Sequence, residues 1–186
     1  MKRLLYPIIC LLPFTLYGQL SDPPNIVPNP GFELRSGPPI GWFYKGEHFT
    51  DVMKYWSSPT IASPDIFGPE VRVPQSWVEK GFGEQPAYEG NYMTGITTYG
   101  CEDGKPPCRE YLQIQLTEAL VPGQRYELSF QLAPLPQSLR VNRIGAAFTS
   151  RRLNELTDGP LALEPVVVAS ETIVSDDGQW QEGKGL

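Results

Sequence analysis

Twenty prolines and eighteen glycines are spread along the whole of this 186-residue chain, and no other feature constrains its fold so strongly. Proline inside a helix removes a donor and clashes with the preceding turn, at about 3 kcal/mol; interior glycine costs up to ~1 kcal/mol. Few windows escape both residues for long. The stretches between them are rich in Val, Ile, Tyr, Phe and Thr. That pattern predicts many short strands joined by turns and no helix.

The clearest unit runs from Glu110 to Leu132. In EYLQIQL, Leu112, Ile114 and Leu116 fall on one face, and Tyr111, Gln113 and Gln115 on the other. In YELSFQL, Tyr126, Leu128, Phe130 and Leu132 share a face. Period-2 alternation marks strands with one buried side. Between them, Val121-Pro122-Gly123-Gln124 suits a type II turn, with proline setting φ and glycine accepting positive φ. The reading is an antiparallel pair. Further strands are expected at Ile26–Leu34, Gly41–Tyr44, Asn91–Thr98, Arg143–Thr149 and Pro165–Val174. Val166 to Val168 reads as a strand covered on both faces. Residues 57–75 carry four prolines and are expected to form a stiff loop.

The amino-terminal residues read as a targeting segment. Lys2 and Arg3 precede an almost wholly apolar run, Leu4 to Leu16, with Gly18 offering a small residue for cleavage: a secretory signal peptide over residues 1–19. The run is shorter than the ~20 apolar residues a membrane-spanning helix needs, so no transmembrane segment is expected in the mature chain. Residues 20–186 then suit one exported domain, destined for the periplasm, outer membrane or exterior. Without Lys2 and Arg3, 13 basic residues face 21 acidic ones. An acidic surface without a basic stripe is a poor match for nucleic acid. Cys101 and Cys108 are expected to pair in the oxidising compartment, closing a short loop for roughly 2.5 kcal/mol. Zinc is disfavoured because His48 is the single histidine.

The segment NIVPNPGFE (Asn25 to Glu33) opens the mature domain. Ile26 and Val27 begin a strand, Pro28 to Gly31 bend it, and Phe32 returns to the core. This pattern resembles the first strand of galactose-binding-like jelly rolls, including families of carbohydrate-binding modules. The later blocks YWSSPTIASPDIF, GEQPAYEGNYMTGI, CREYLQIQLTEALVPGQRYELSFQLA and RIGAAFTS, then Trp180, follow the order of a secreted Gram-negative β-sandwich domain that often precedes an OmpA-like domain. The resemblance implies an all-β, antiparallel jelly-roll sandwich. Such domains continue past the late tryptophan, whereas QEGKGL reads as a polar tail, so the last strand is expected to be missing.

The resemblance also implies a binding module. Glu33 would help to hold a structural Ca²⁺, an ion that takes six to eight oxygens. Sugars bind by stacking on rings while polar side chains fix their hydroxyls. Trp56, Trp77, Tyr88, Asn91 and Tyr92 are the ligand-binding candidates, with a platform of Trp56, Trp77 and Tyr88 and with Trp77 as its most exposed member. Core packing is the competing reading for Trp42, Trp56 and Trp180. Gln113, Gln115, Ser129 and Gln131 would align as a polar sheet face, and Arg109 and Glu110 would form a local ion pair. Catalysis finds little support. A triad would depend on His48, no G-x-S-x-G elbow exists, and nothing selects two acids among Asp51, Asp65 and Glu84 for glycoside hydrolysis. The expectation is a non-enzymatic module that binds a glycan, or alternatively a structural or adhesive domain that binds an envelope protein or acts as a spacer.

Overall fold

The computed structural model describes residues 24–37, 46–79, 85–99, 109–135, 138, 141, 143–169 and 178–185. The expected signal peptide, the expected strand at Gly41–Tyr44 and the expected Cys101–Cys108 disulfide lie outside these residues. In chain order the elements are α1 (Gly46–Val52), β1 (Trp56–Ser57), β2 (Asp65–Phe67), α2 (Gln75–Val78), β3 (Met93–Gly95), β4 (Gln113–Ile114), β5 (Leu128–Leu132), β6 (Ile144–Ala146), β7 (Val167–Ala169) and β8 (Gln181–Gly185). The architecture is β-rich. Its strands are short and pair antiparallel in four ladders, β1–β4, β2–β3, β5–β8 and β6–β7. Among the described residues no helix is long and apolar enough to cross a membrane.

The turn at Val121–Gln124 forms as its residues dictate. Gln124 N–H donates to the Val121 carbonyl at 3.1 Å, and Gly123 has φ +81°. The strands it joins do not pair with each other, which corrects the expected hairpin. β4 pairs with β1, placing Trp56 opposite Ile114, and β5 pairs with β8, placing Phe130 opposite Gly183. Alternation fixes which face a strand buries, not which strand lies beside it. Gln113 shows why β4 goes elsewhere. Its amide accepts from Leu153 N–H at 2.7 Å and donates to the Leu153 carbonyl at 3.2 Å and to Ser57 Oγ at 3.3 Å. It is an internal bracket, so the expected polar row of Gln113, Gln115, Ser129 and Gln131 does not form across one pair.

The stretch read as a polar tail is strand β8. Gly183 is buried, and a Cβ there would overlap the Phe130 ring. The ring of β5 therefore supplies the apolar cover that Gln-Glu-Gly-Lys-Gly itself lacks. β7 closes the other flank, where Val167 occupies the space beside Gly185. Val167 and Ala169 are buried, but Val166 is 68% exposed, so the valine run is not covered throughout.

Two short helices replace expected irregular chain. α1 has weak intrinsic propensity, with Gly, His, Thr and Val in seven residues, and a helix so short is not stable alone. Tertiary contacts create it. Phe49 is fully buried and Met53, four residues on, is 2% exposed, so both face the core. Gly46 N–H donates to the Ile61 carbonyl at 3.0 Å, and a Cβ on Gly46 would clash with the Thr60 and Ala62 carbonyls. The stiff loop expected over 57–75 in fact contains β2 and runs into α2 at Gln75.

Phe49, Met53, Ile66 and Tyr92 form the core cluster, with Phe32, Val52, Trp56 and Leu112 packed against it. Burying each large apolar side chain contributes roughly 1.5–3 kcal/mol. The opening segment supplies the pin for this core. Asn29 is 9% exposed. Its amide donates to the Leu34 and Lys54 carbonyls, both at 3.0 Å, and accepts from Leu34 N–H at 2.9 Å. Its own carbonyl accepts from the Trp56 indole at 2.8 Å. Asn29 and Phe32 take left-handed φ of 51° and 61°, a conformation asparagine tolerates and phenylalanine adopts only when its surroundings hold it there.

Candidate functional site

β2 and β3 pair in register, with Phe67 opposite Met93. The chain on either side of this ladder opens a groove of about 290 Å³. One wall draws on residues between Phe67 and Val73, the other on Gln85 to Ala87 with Asn91 and Met93. Among the described residues, those lining it are uncharged, and Gln85 and Asn91 bring their polar side chains. This size lies at the lower end of small-ligand sites, which are mostly apolar with a few placed polar groups.

Three contacts lock the walls. The Tyr92 hydroxyl donates to the Glu70 carboxylate, tying one wall to the other. The Arg35 guanidinium lies 3.4 Å from the centroid of the Tyr92 ring, a cation–π contact. Glu33 Oε1 accepts from the backbone N–H groups of Asn91 and Tyr92 at 2.9 and 3.0 Å, holding the turn that follows Tyr88. At the centre of that turn Gly90 has φ +70°, and a Cβ there would overlap the Glu33 carboxylate. The Tyr92 bond holds the Glu70 carboxyl below its usual range, with help from Arg35, while the same bond pushes the Tyr92 phenol up.

At the Gln85 end the chain near Trp180 meets the groove wall. The Trp180 indole donates to the Pro86 carbonyl at 3.0 Å. Its ring stands edge-on to Tyr88, with centroids 6.0 Å apart and planes at 67°. Tyr88 is 58% exposed, so its ring is open to solvent beside Trp180.

The five ligand-binding candidates therefore separate. Asn91 lines the groove; Tyr88 does not, but it follows the lining residues Gln85 to Ala87 in the chain. Tyr92 is 8% exposed, with Arg35 over its ring; it positions the groove and offers no free face, which corrects its expected role. Trp56 packs against Phe32 with centroids 5.0 Å apart and is tied to Asn29, so it belongs to the core. Trp77 is half-buried on α2 and is not among the residues lining the groove. Of Trp56, Trp77 and Tyr88, only Tyr88 is largely exposed, and its ring partner is Trp180. Sequence reasoning missed Trp180 and Gln85, because 94 residues separate Trp180 from the carbonyl it binds and no local pattern reports such a contact.

Glu33 does not suit calcium. Its Oε1 is already taken by two backbone N–H donors, which leaves at most one oxygen of the carboxylate for a cation. Among the described residues, no three His, Cys, Asp or Glu side chains gather as a metal-binding group.

Glu110 is also different from expectation. Thr97 N–H donates to its Oε2 at 2.6 Å, and Glu110 N–H donates to the Thr97 carbonyl at 2.8 Å. Burial pushes its carboxyl up to about 8, reinforced by the charge of Asp65. A carboxyl in that state is largely protonated at neutral pH, so burial and hydrogen bonds hold it in place of the expected ion pair with Arg109. Compared with family models, with curated proteins and with solved structures, the chain matches none.

Proposed function

We propose that this chain is an exported, non-enzymatic module of the cell envelope that binds carbohydrate in the groove between residues 67–73 and 85–93. In this reading the β-rich domain is a jelly-roll sandwich whose sheets are reduced to short ladders. The observation that carries the reading is the exposed Tyr88 ring, set edge-on to Trp180 and next in the chain to a groove whose described polar side chains are both amides. A ring open to solvent stacks on the C–H face of a sugar, and carboxamides both donate to and accept from hydroxyls. The locked walls favour binding because little ordering remains to be done when the ligand arrives.

Titration calorimetry against a panel of neutral and acidic oligosaccharides tests this. Micromolar to millimolar binding is expected, weakened at least fivefold by Tyr88→Ala with no change in melting temperature. Trp77→Ala is expected to leave affinity unaltered. Silence across the panel would favour the structural or adhesive role instead.

A further inference from the structure

We infer that the groove selects a neutral sugar carrying an acetamido group, a step that rests on the groove being the glycan site. Three features of the lining converge on this class. First, its described lining residues carry no charged side chain, and the chain carries a net charge of −6. A uronic acid or sulfated sugar would find no cation among those residues to compensate its desolvation. Second, Val71, Val73 and Met93 present aliphatic wall. A sugar bearing hydroxyls alone would press some of them against that wall unpaired, which is costly. An acetamido methyl would instead be buried favourably there. Third, the polar groups are two carboxamides, Gln85 and Asn91. A carboxamide is self-complementary to another amide, since each offers one acceptor and at least one donor.

The two amides are also placed. Asn91 is fixed through its backbone N–H by Glu33, and Gln85 Oε1 is packed against Gly178, where a Cβ would come within 2.6 Å of it. The Trp180 segment thus brings both the ring partner of Tyr88 and the abutment of Gln85. Tyr88 follows Gln85 to Ala87 in the chain and Trp180 binds the Pro86 carbonyl, so stacking and amide recognition would fall on one stretch, as a ring with an acetamido substituent requires.

The test compares three tetrasaccharides of the same β-1,4 linkage, made of N-acetylglucosamine, glucose and glucosamine, by calorimetry and by tryptophan fluorescence. The acetylated tetramer is expected to bind about tenfold more tightly than the glucose tetramer, from one buried methyl and one amide hydrogen bond. Asn91→Ala, which keeps the backbone donor to Glu33, should reduce that preference to under threefold. Equal binding of the acetylated and glucose tetramers overturns this inference and leaves the glycan reading standing. Tighter binding of the cationic glucosamine tetramer overturns it in favour of charge attraction. Displacement of the sugar by N-acetylalanine amide at the same concentration would assign the groove to peptides, and failure of all three sugars removes both readings.

Discussion

Tyr92 reaches across the groove to hydrogen-bond Glu70 while Arg35 covers its ring. One side chain therefore serves the core with its face and the groove with its hydroxyl. Removing the hydroxyl alone separates these tasks. Tyr92→Phe should keep the fold but loosen the walls, lowering glycan affinity severalfold. Its stability deficit should depend on pH. The Glu70 carboxyl is depressed when folded, so its contribution is present above the ordinary carboxylate range and disappears as pH falls through the lower, folded value. Urea midpoints of the wild type and Tyr92→Phe should differ at pH 7 and converge as acid takes the solution below the ordinary carboxylate range. A constant gap would show that the bond does not act through the ionised acid.

The Asn29 pin should be among the most sensitive positions in the chain. Asn29→Ala removes the side-chain hydrogen bonds to Leu34, Met53 and Lys54, takes a donor from the Lys54 carbonyl, and forces alanine to a φ near +51°. The combined loss should be on the order of 3 kcal/mol, read from denaturant midpoints. A loss under ~1 kcal/mol would mean that the opening segment is not fixed through this side chain.

Glu110 should give the opposite pH behaviour to Glu70. Its folded carboxyl lies at about 8, raised above the ordinary value. The stabilisation is therefore complete below the unfolded value of about 4.3, and is lost as pH rises toward the folded one. Glu110→Gln keeps an acceptor for Thr97 N–H but cannot ionise. It should match the wild type near pH ~4 and be more stable at pH ~8 by on the order of 1–2 kcal/mol, a figure reduced for partial exposure. Parallel stability curves for the two proteins between those limits would refute the burial argument.

Gly68 tests the close packing beneath the groove. A Cβ there would overlap the Tyr92 ring, so Gly68→Ala must shift the ring or the wall. Overpacking of this kind costs about 1–3 kcal/mol. Thermal melting should fall accordingly, and ligand affinity should fall with it because the displaced ring also carries the bond to Glu70.

Part of this architecture was legible along the chain. Pro122 and Gly123 specified their turn, Phe32 was expected to return to the core and packs against it, and strands were expected where β3, β6 and β7 lie. Helix α1 was not legible, because its residues are poor helix formers that fold around the burial of Phe49. Nor was β8, whose Gln-Glu-Gly-Lys-Gly lacks an apolar pattern and borrows its cover from Phe130. At the candidate site, Tyr88 and Asn91 were recognisable as polar-capable residues near one another in sequence. The core positions of Trp56 and Tyr92 turn on Asn29, Phe32 and Arg35, which meet them only in three dimensions.

The sequence by itself determined that this chain would be built from short extended pieces and tight turns. Proline and glycine act through the φ of their own residue, and alternation acts between neighbours two positions apart. Tertiary structure alone decided that β4 joins β1 and β5 joins β8, that Trp180 stands beside Tyr88, and that burial raises the Glu110 carboxyl above its ordinary range. Strand partners are chosen by side-chain packing across long loops, and the charge state of a carboxyl by how much water and which charges surround it; neither is a property of the residues adjoining it in the chain.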